Sequence, residues 1–450
     1  MQKAATKYSL PFLLIMILGV SYFASRITQA EEQIKIKIDY VAEYNKITKP
    51  PDYDPNQNAA PHYRRAFETL VDIADDIQAI RKIWPGDMND TEINSLKNWL
   101  ALNKEPIPSL KAAAQKPYYW VEHNIENNYL IAIAMPELRK LRTAVYLLGL
   151  RARLIASKGQ IRPALQDVID TCKMGAHLKG PKTLVEQLAG ISIRTLAAQD
   201  AFQILDKTHP SPNLLQDFQN QLEMLSARHT HTIDFTFDKL MVYDNIQRMF
   251  TDDGKGGGHV YGTRASENTE HLESLWGWEI TPEKNESFKR LERQQTTELA
   301  DKLYLYFADI AKKTPAQLHS QGLDPVESLE QMTKDDPLLH TLAPAFNRAA
   351  ELSYRAKATT DALITTLSLL RHKADKACFP DSLKQLLKTG YLKELSIDPY
   401  SDGPLVYRRI DDNFTLYSLG ADFDDDGGTP SKWGEGEGCG DQVFWPVERY

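Results

Sequence analysis

Through the middle of the chain, apolar residues recur three and four positions apart, the spacing of a helix with one buried face. Leu138 and Leu141 open one such stripe, continued by Val145, Leu148, Leu150, Leu154 and Ile155 and stopped at Gly159. Pro136 suits its start, because the first turn of a helix has no use for the N–H that proline lacks. A second stripe begins near Pro163 and carries Leu165, Val168, Ile169, Cys172 and Met174 to Gly180, and a third runs from Thr183 through Leu188 and Ile191 to Leu205. Breaks this short predict antiparallel helical hairpins. Ala144, Gly149, Ala152 and Ala156 are small enough to let helices approach closely. A further helix is expected from about Pro282 to Lys313, and helical spacing persists from Ala349 through Leu363, Leu367 and Leu370.

Beyond Cys378 the period changes. Pro380-Asp381-Ser382-Leu383 opens a short helix, 398–404 reads as a turn, and 405–408 and 414–418 alternate as the strands of a hairpin. The expected fold is mainly α. An irregular array of helical hairpins over 31–345 is followed by a small α+β unit with an antiparallel sheet over 346–450. Gly159 with Ala164-Leu165 faintly resembles a tetratricopeptide hairpin, but no 34-residue pattern recurs. Tyr118, Tyr119, Trp120, Phe235 and Phe237 are expected in the core. Residues 252–268 interrupt the pattern. Asp252 to His259 is glycine-rich, lacks the spacing of a phosphate-binding loop, and is expected to be a flexible loop without an apolar anchor. Trp276-Gly277-Trp278 is expected to reattach the chain to the core.

The first thirty residues stand apart. Lys3 and Lys7 precede an uncharged stretch from Tyr8 to Ser25, at the lower limit for spanning a bilayer. Two readings are open: a retained single anchor, or a signal peptide cleaved after the small residues of Thr28-Gln29-Ala30. Either places the bulk of the chain outside the cytoplasm, because the basic end stays inside. The first gives a single-pass protein of the cytoplasmic membrane, the second a periplasmic one. With 42% hydrophobic and 25% charged residues and a mean hydropathy of −0.44, the chain is neither wholly disordered nor polytopic. Its net charge of −8 gives no general attraction to nucleic acid. Ten acidic and two basic residues fall between 411 and 450, an excess equal to the charge of the whole chain. Three cysteines remain: Cys172 on a helical face, and Cys378 and Cys439 in the C-terminal unit, a candidate disulfide in an oxidising compartment.

Asp422, Asp424, Asp425 and Asp426 crowd one glycine-bearing turn. Like charges so close call for a cation, a basic partner or full solvation. Hard oxygen ligands suit calcium, although the spacing is not that of an EF-hand. Phe379-Pro380-Asp381-Ser382-Leu383, Asp398-Pro399-Tyr400, Gly403-Pro404-Leu405-Val406-Tyr407 and Leu416-Tyr417-Ser418-Leu419-Gly420-Ala421-Asp422 occur in that order. Over about the last hundred residues the chain thereby resembles the major pseudopilin of type II secretion (the protein G family). The resemblance implies a helix, a small antiparallel sheet and a calcium-binding loop. Asp422 and Asp441 match the loop aspartates, Leu419 would offer a backbone carbonyl, and Asp424 and Asp426 join by proximity. The N-terminal run lacks the acidic residue and processing site of a pseudopilin, so the resemblance does not extend to polymerisation. The arrangement of anchor, helical body and tail also resembles envelope proteins of planctomycete-type bacteria, which carries no activity.

No nucleophile elbow, zinc-binding His-Glu-x-x-His or dinucleotide-binding glycine pattern is present. His229 and His231 read as surface histidines, and Asp75-Asp76 as a solvated helix face. The expectation is a non-enzymatic envelope protein that works as a scaffold through contacts with other envelope proteins, is held to the membrane by its N-terminal helix, and has a calcium-stabilised tail. The alternatives are an exported hydrolase with a site between body and tail, involving His229, Asp234 and an acidic partner, or a soluble periplasmic binding module.

Overall fold

The computed structural model describes residues 36–125, 128–133, 137–227, 232–260, 290–431 and 440–447. The fold is mainly helical, with a small three-stranded antiparallel sheet near the C-terminus. Five helices open the chain: α1 (Tyr40–Thr48), α2 (Ala60–Thr69), α3 (Asp75–Ile80), α4 (Asp90–Leu102) and α5 (Pro106–Ala114). Asp75 and Asp76 are exposed in the first turn of α3.

The three stripes read from the sequence form α6 (Glu137–Ala156), α7 (Ile161–Ala176) and α8 (Leu184–Lys207), which pack on one another. Thr183 caps α8 in a reciprocal capping box with Glu186. The second stripe ends at Ala176, short of Gly180, because His177 terminates the helix. Its ring is held between the Tyr63 hydroxyl and the Lys116 carbonyl, each at 2.8 Å. The hairpin closes tightly because α7 and α8 meet at two glycines: a Cβ on Gly175 would lie 2.8 Å from the Gly190 carbonyl oxygen.

After α9 (Pro212–Ala227) and α10 (Thr236–Met249) the chain is not a loose loop over 252–260. Val260 is 5% exposed and pairs with the buried Phe250, which supplies the apolar anchor the composition did not indicate. The Asp253 carboxylate accepts from the N–H groups of Lys255 (2.7 Å) and Gly257 (3.0 Å), rigidifying the turn. Trp276 to Trp278, like His229 and His231, lies outside the described residues. Of the helix expected from about Pro282, residues 282–289 lie outside the described residues; helix α11 (Arg293–Ile310) begins where Glu292 bridges to His259 and the Arg293 N–H donates to the Gly258 carbonyl.

Two short helices, α12 (Pro315–Ser320) and α13 (Pro325–Thr333), lead into α14 (Pro337–Lys376). Asp336 caps α14, Pro337 occupies its first turn, and its 40 residues span about 60 Å. The expected boundary at 345/346 therefore falls inside a continuous helix, not in a linker. One core, with Val41, Phe237, Leu303 and Phe307, packs on the start of α14; a second, with Leu165, Phe202 and Phe218, packs on its far half. The C-terminal unit belongs to that second core through Phe379, Leu405, Phe414, Leu416 and Trp445. A third core gathers α2–α6 around Leu96, Leu110 and Leu147.

Helix α15 (Leu383–Lys388) precedes the sheet of β1 (Val406–Ile410), β2 (Asn413–Ser418) and β3 (Gln442–Trp445), in spatial order β1-β2-β3. Val406 pairs with Tyr417 and Ile410 with Asn413, as the hairpin pattern predicts. Phe414 stacks on Trp445 and meets Phe379 edge-on at 4.9 Å, turning one face of the sheet toward α14. Cys172 is buried, Cys378 is exposed just beyond α14, and Cys439 lies outside the described residues. Among the described residues no helix is long and apolar enough to cross a membrane; residues 1–35 lie outside them.

Candidate functional site

The acidic turn is built on a buried carboxylate upstream of it. Asp398 is fully buried and accepts from the Ser418 hydroxyl (2.6 Å), the Leu419 N–H (3.1 Å) and the Tyr400 N–H (3.1 Å). It thereby ties the 398–404 turn to the end of β2. The chain reverses at Gly420, whose φ of +80° favours glycine; a Cβ there would sit 2.9 Å from the Gly440 carbonyl oxygen.

The sequence-named aspartates fall into two groups. Asp422 spends both oxygens on the backbone, accepting from Gly440 N–H (3.0 Å) and Asp424 N–H (3.4 Å), and the Asp424 carboxylate accepts from Asp425 N–H (2.9 Å). Asp441, at the entry to β3, is fully buried. Its Oδ2 accepts from Gly428 N–H at 2.7 Å, while its Oδ1 is buried without a hydrogen-bond partner among the described residues. Burial pushes its pKa up to about 6, and the neighbouring Asp425 and Asp426 add to the rise. Leu419 contributes its N–H to Asp398, and the Asp426 carbonyl accepts from Thr429.

Asp425, which sequence reasoning left out of the set, is the clamp of the turn. It accepts from the Tyr417 hydroxyl (2.7 Å) and takes a two-oxygen contact from Arg408 Nη2 (3.0 Å to each). The Tyr417 hydrogen bond holds its pKa below the usual carboxylate range. Arg408 is thus the basic partner that four crowded carboxylates require. The alternation of β1 places it on a strand face, but its pairing across the hairpin could not be read from the sequence.

The Asp441 oxygen left without a hydrogen bond among the described residues fits a cation that Asp441 would hold, with the Asp426 carboxylate near enough to raise its pKa and the Asp426 backbone N–H opposing that rise. Asp422 and Asp424 would have to release backbone donors to join. Among the described residues no three acidic, histidine or cysteine side chains form a ready-made metal cluster.

A second candidate lies where the two cores diverge along α14. A cleft of about 1230 Å³ is lined by the α7–α8 loop, α8, the end of α9, residues 232–236, α11, the middle of α14 from Ser353 to Ile364, and residues 392–397. Seven lysines and arginines face it against four carboxylates, opposite in balance to the chain as a whole. Several pair off: Lys357 with Asp361, Lys393 with Glu223 at 2.5 Å, Lys239 with Asp301 at 3.0 Å. Burial, with Arg194 adjacent, lowers the pKa of Lys179 to about 7. Tyr118, Tyr119 and Phe235 line the wall; Phe235 is core, as expected, whereas the two tyrosines are half-buried at the cleft.

Asp234, the residue named for a hydrolytic site, lines the cleft, but its Oδ1 accepts from Thr236 N–H (2.9 Å) and its backbone is paired with Gln187. Its proposed partner His229 lies outside the described residues. His177 also lines the cleft. Its Nε2–H must donate to the Lys116 carbonyl, which leaves Nδ1 to accept from Tyr63, so both ring nitrogens are committed. Burial lowers its pKa to about 4 and keeps it neutral.

Behind the wall, Asp238 is buried with Oδ2 lacking a hydrogen bond among the described residues. Burial first, then Asp234 and Glu186, push its pKa up to about 8. The folded chain then keeps a proton that the unfolded chain releases near the ordinary carboxylate value of about 4. Stability should therefore fall as pH rises from about 4 to about 8 and level off above, this group contributing at most about 1.4 kcal/mol per pH unit. Asp238→Asn should flatten that slope and raise the melting temperature at pH 8, checked by thermal unfolding at a series of pH values. An unchanged slope would mean that Asp238 is ionised in the fold. No protein-family model, curated protein or solved structure matches the chain, so its relationships rest on the residues themselves.

Proposed function

We propose that the chain is a non-enzymatic cell-envelope protein, held at the cytoplasmic membrane by residues 1–30 and acting as a scaffold through contacts with other envelope proteins. Its C-terminal unit, pseudopilin-like in its residue pattern, is braced by a calcium ion at the acidic turn. The observation that supports this best is Asp441: a fully buried carboxylate with one oxygen lacking a partner among the described residues, beside two more aspartates. Calcium bound there would neutralise the crowded charges and join the entry of β3 to the 422–428 turn.

The test is thermal unfolding of the full chain with calcium and with chelator. A fragment starting at 346 would cut α14 and expose the core it shares with α7–α9. Calcium at a hundred times its dissociation constant should add about 2.7 kcal/mol. The gain should shrink as pH falls below about 6, where protons compete for Asp441. Asp441→Asn should abolish it while leaving the calcium-free protein as stable or more so, since a buried charge is removed. No calcium shift at pH 7.5 would sink the calcium reading. The mass of the native N-terminus separates the anchored form from a cleaved periplasmic one.

A further inference from the structure

The central cleft combines two chemistries that the scaffolding role does not use. The first is a half-buried cation. Arg194 lies in the lining, its stem crossing Gly175: a Cβ on that glycine would sit 2.9 Å from Arg194 Cγ. Its guanidinium has no ion pair or hydrogen bond among the described residues, although its neighbours Lys357 and Asp361 are paired with each other. Partial burial lowers its pKa, and the nearby Cys172 and Asp361 offset part of that shift. A planar group of five donors in that state is suited to a phosphate or carboxylate.

The second is exposed apolar surface on the same lining. Leu305 is 71% exposed, Met224 53% and Ile397 46%, and all three line the cleft. Large apolar side chains left open on the same lining as a half-buried cation favour a ligand with an anionic head and a hydrocarbon portion over a bare inorganic ion. The volume of about 1230 Å³ is also far more than a phosphate needs.

We propose that this cleft binds an anionic amphiphile, a single-chain lipid bearing a phosphate or carboxylate head, with Arg194 as the contact to the head group and Leu305, Met224 and Ile397 in contact with the chain. The site is separate from the acidic turn, so calcium binding and amphiphile binding can fail independently.

The experiment is isothermal titration of the full chain in phosphatidylcholine nanodiscs against empty nanodiscs, with octyl phosphate, octanol and inorganic phosphate as probes. Octyl phosphate should bind about tenfold or more tightly than either of the others, since each lacks one half of the recognition. Arg194→Met, close in length and without charge, should weaken octyl phosphate about tenfold or more and leave octanol unchanged; Arg194→Lys should recover part of the loss. Leu305→Asp, at an exposed position that folding does not need, should weaken octyl phosphate but not inorganic phosphate. The proposal is overturned if octanol or inorganic phosphate matches octyl phosphate. It is also overturned if Arg194→Met and Leu305→Asp both bind like the parent, or if no probe gives heat above the nanodisc blank.

Discussion

Asp244→Ala should cost about 3–5 kcal/mol of stability and release the N-terminal part of the structure from its core. Asp244 is fully buried on α10. Its Oδ2 accepts from the Leu130 N–H at 2.7 Å, and its Oδ1 accepts from Gln247 Nε2 and Arg248 Nε, each at 2.8 Å. Removing it leaves three buried donors, one of them on the Arg248 side chain (8% exposed), without that acceptor. The loss spreads, because the same residues hold other segments. Gln247 donates to the Ile38 carbonyl at 2.8 Å, Arg248 donates to the Asn128 carbonyl at 2.6 Å, and Tyr129 donates to Asn245 at 2.7 Å. Urea unfolding should show the lowered midpoint, and hydrogen exchange should show lost protection first at 37–45 and 128–133. A cost below about 1 kcal/mol would mean that water replaces the carboxylate and that α10 is not the hub of this core.

The second large effect is expected from Gly190→Ala. Its Cβ would sit 2.6 Å from the Gly175 carbonyl oxygen and 3.1 Å from Leu178 Cβ. The obstacle is backbone, so relief requires α7 and α8 to separate over their whole contact. Overpacking of this kind costs about 1–3 kcal/mol, and a backbone obstacle places it toward the upper end. The displacement carries Arg194 with it, since that side chain crosses Gly175. Octyl phosphate affinity should therefore fall together with stability. A Gly190→Ala protein that melts like the parent would show that the hairpin has slack and that the two glycines are not what sets its spacing.

What was legible in the sequence was whatever depends on neighbours along the chain. The stripe from Leu138 to Ile155 gave α6, Thr183 marked the start of α8, and the alternation over 405–418 gave the hairpin between β1 and β2. Misjudged boundaries trace to contacts from elsewhere. The α7 stripe stops early because Tyr63 and Lys116 hold His177, and the 252–260 turn is anchored because Val260 meets Phe250. Asp422 and Asp441 were visible as acidic positions, but one came out committed to the backbone and the other buried. Asp425 did not stand out from its neighbours until β1 brought Arg408 across to it.

Local periodicity, capping and turn residues determined that this is a helical chain ending in a small antiparallel sheet with an acidic turn, because hydrogen bonding within helices and hairpins is settled by residues close in sequence. Only the tertiary structure decided which polar residues are buried: Asp244, Gln247 and Arg248 form a polar run in sequence and lie in the interior, since their partners are 37–38 and 128–130, far away along the chain. It also decided that α14 serves two cores and that a basic cleft opens between them. Arg194, Leu305, Lys357 and Ile397 come from four separate segments, and no spacing along the chain encodes their meeting; packing of the cores against one long helix does.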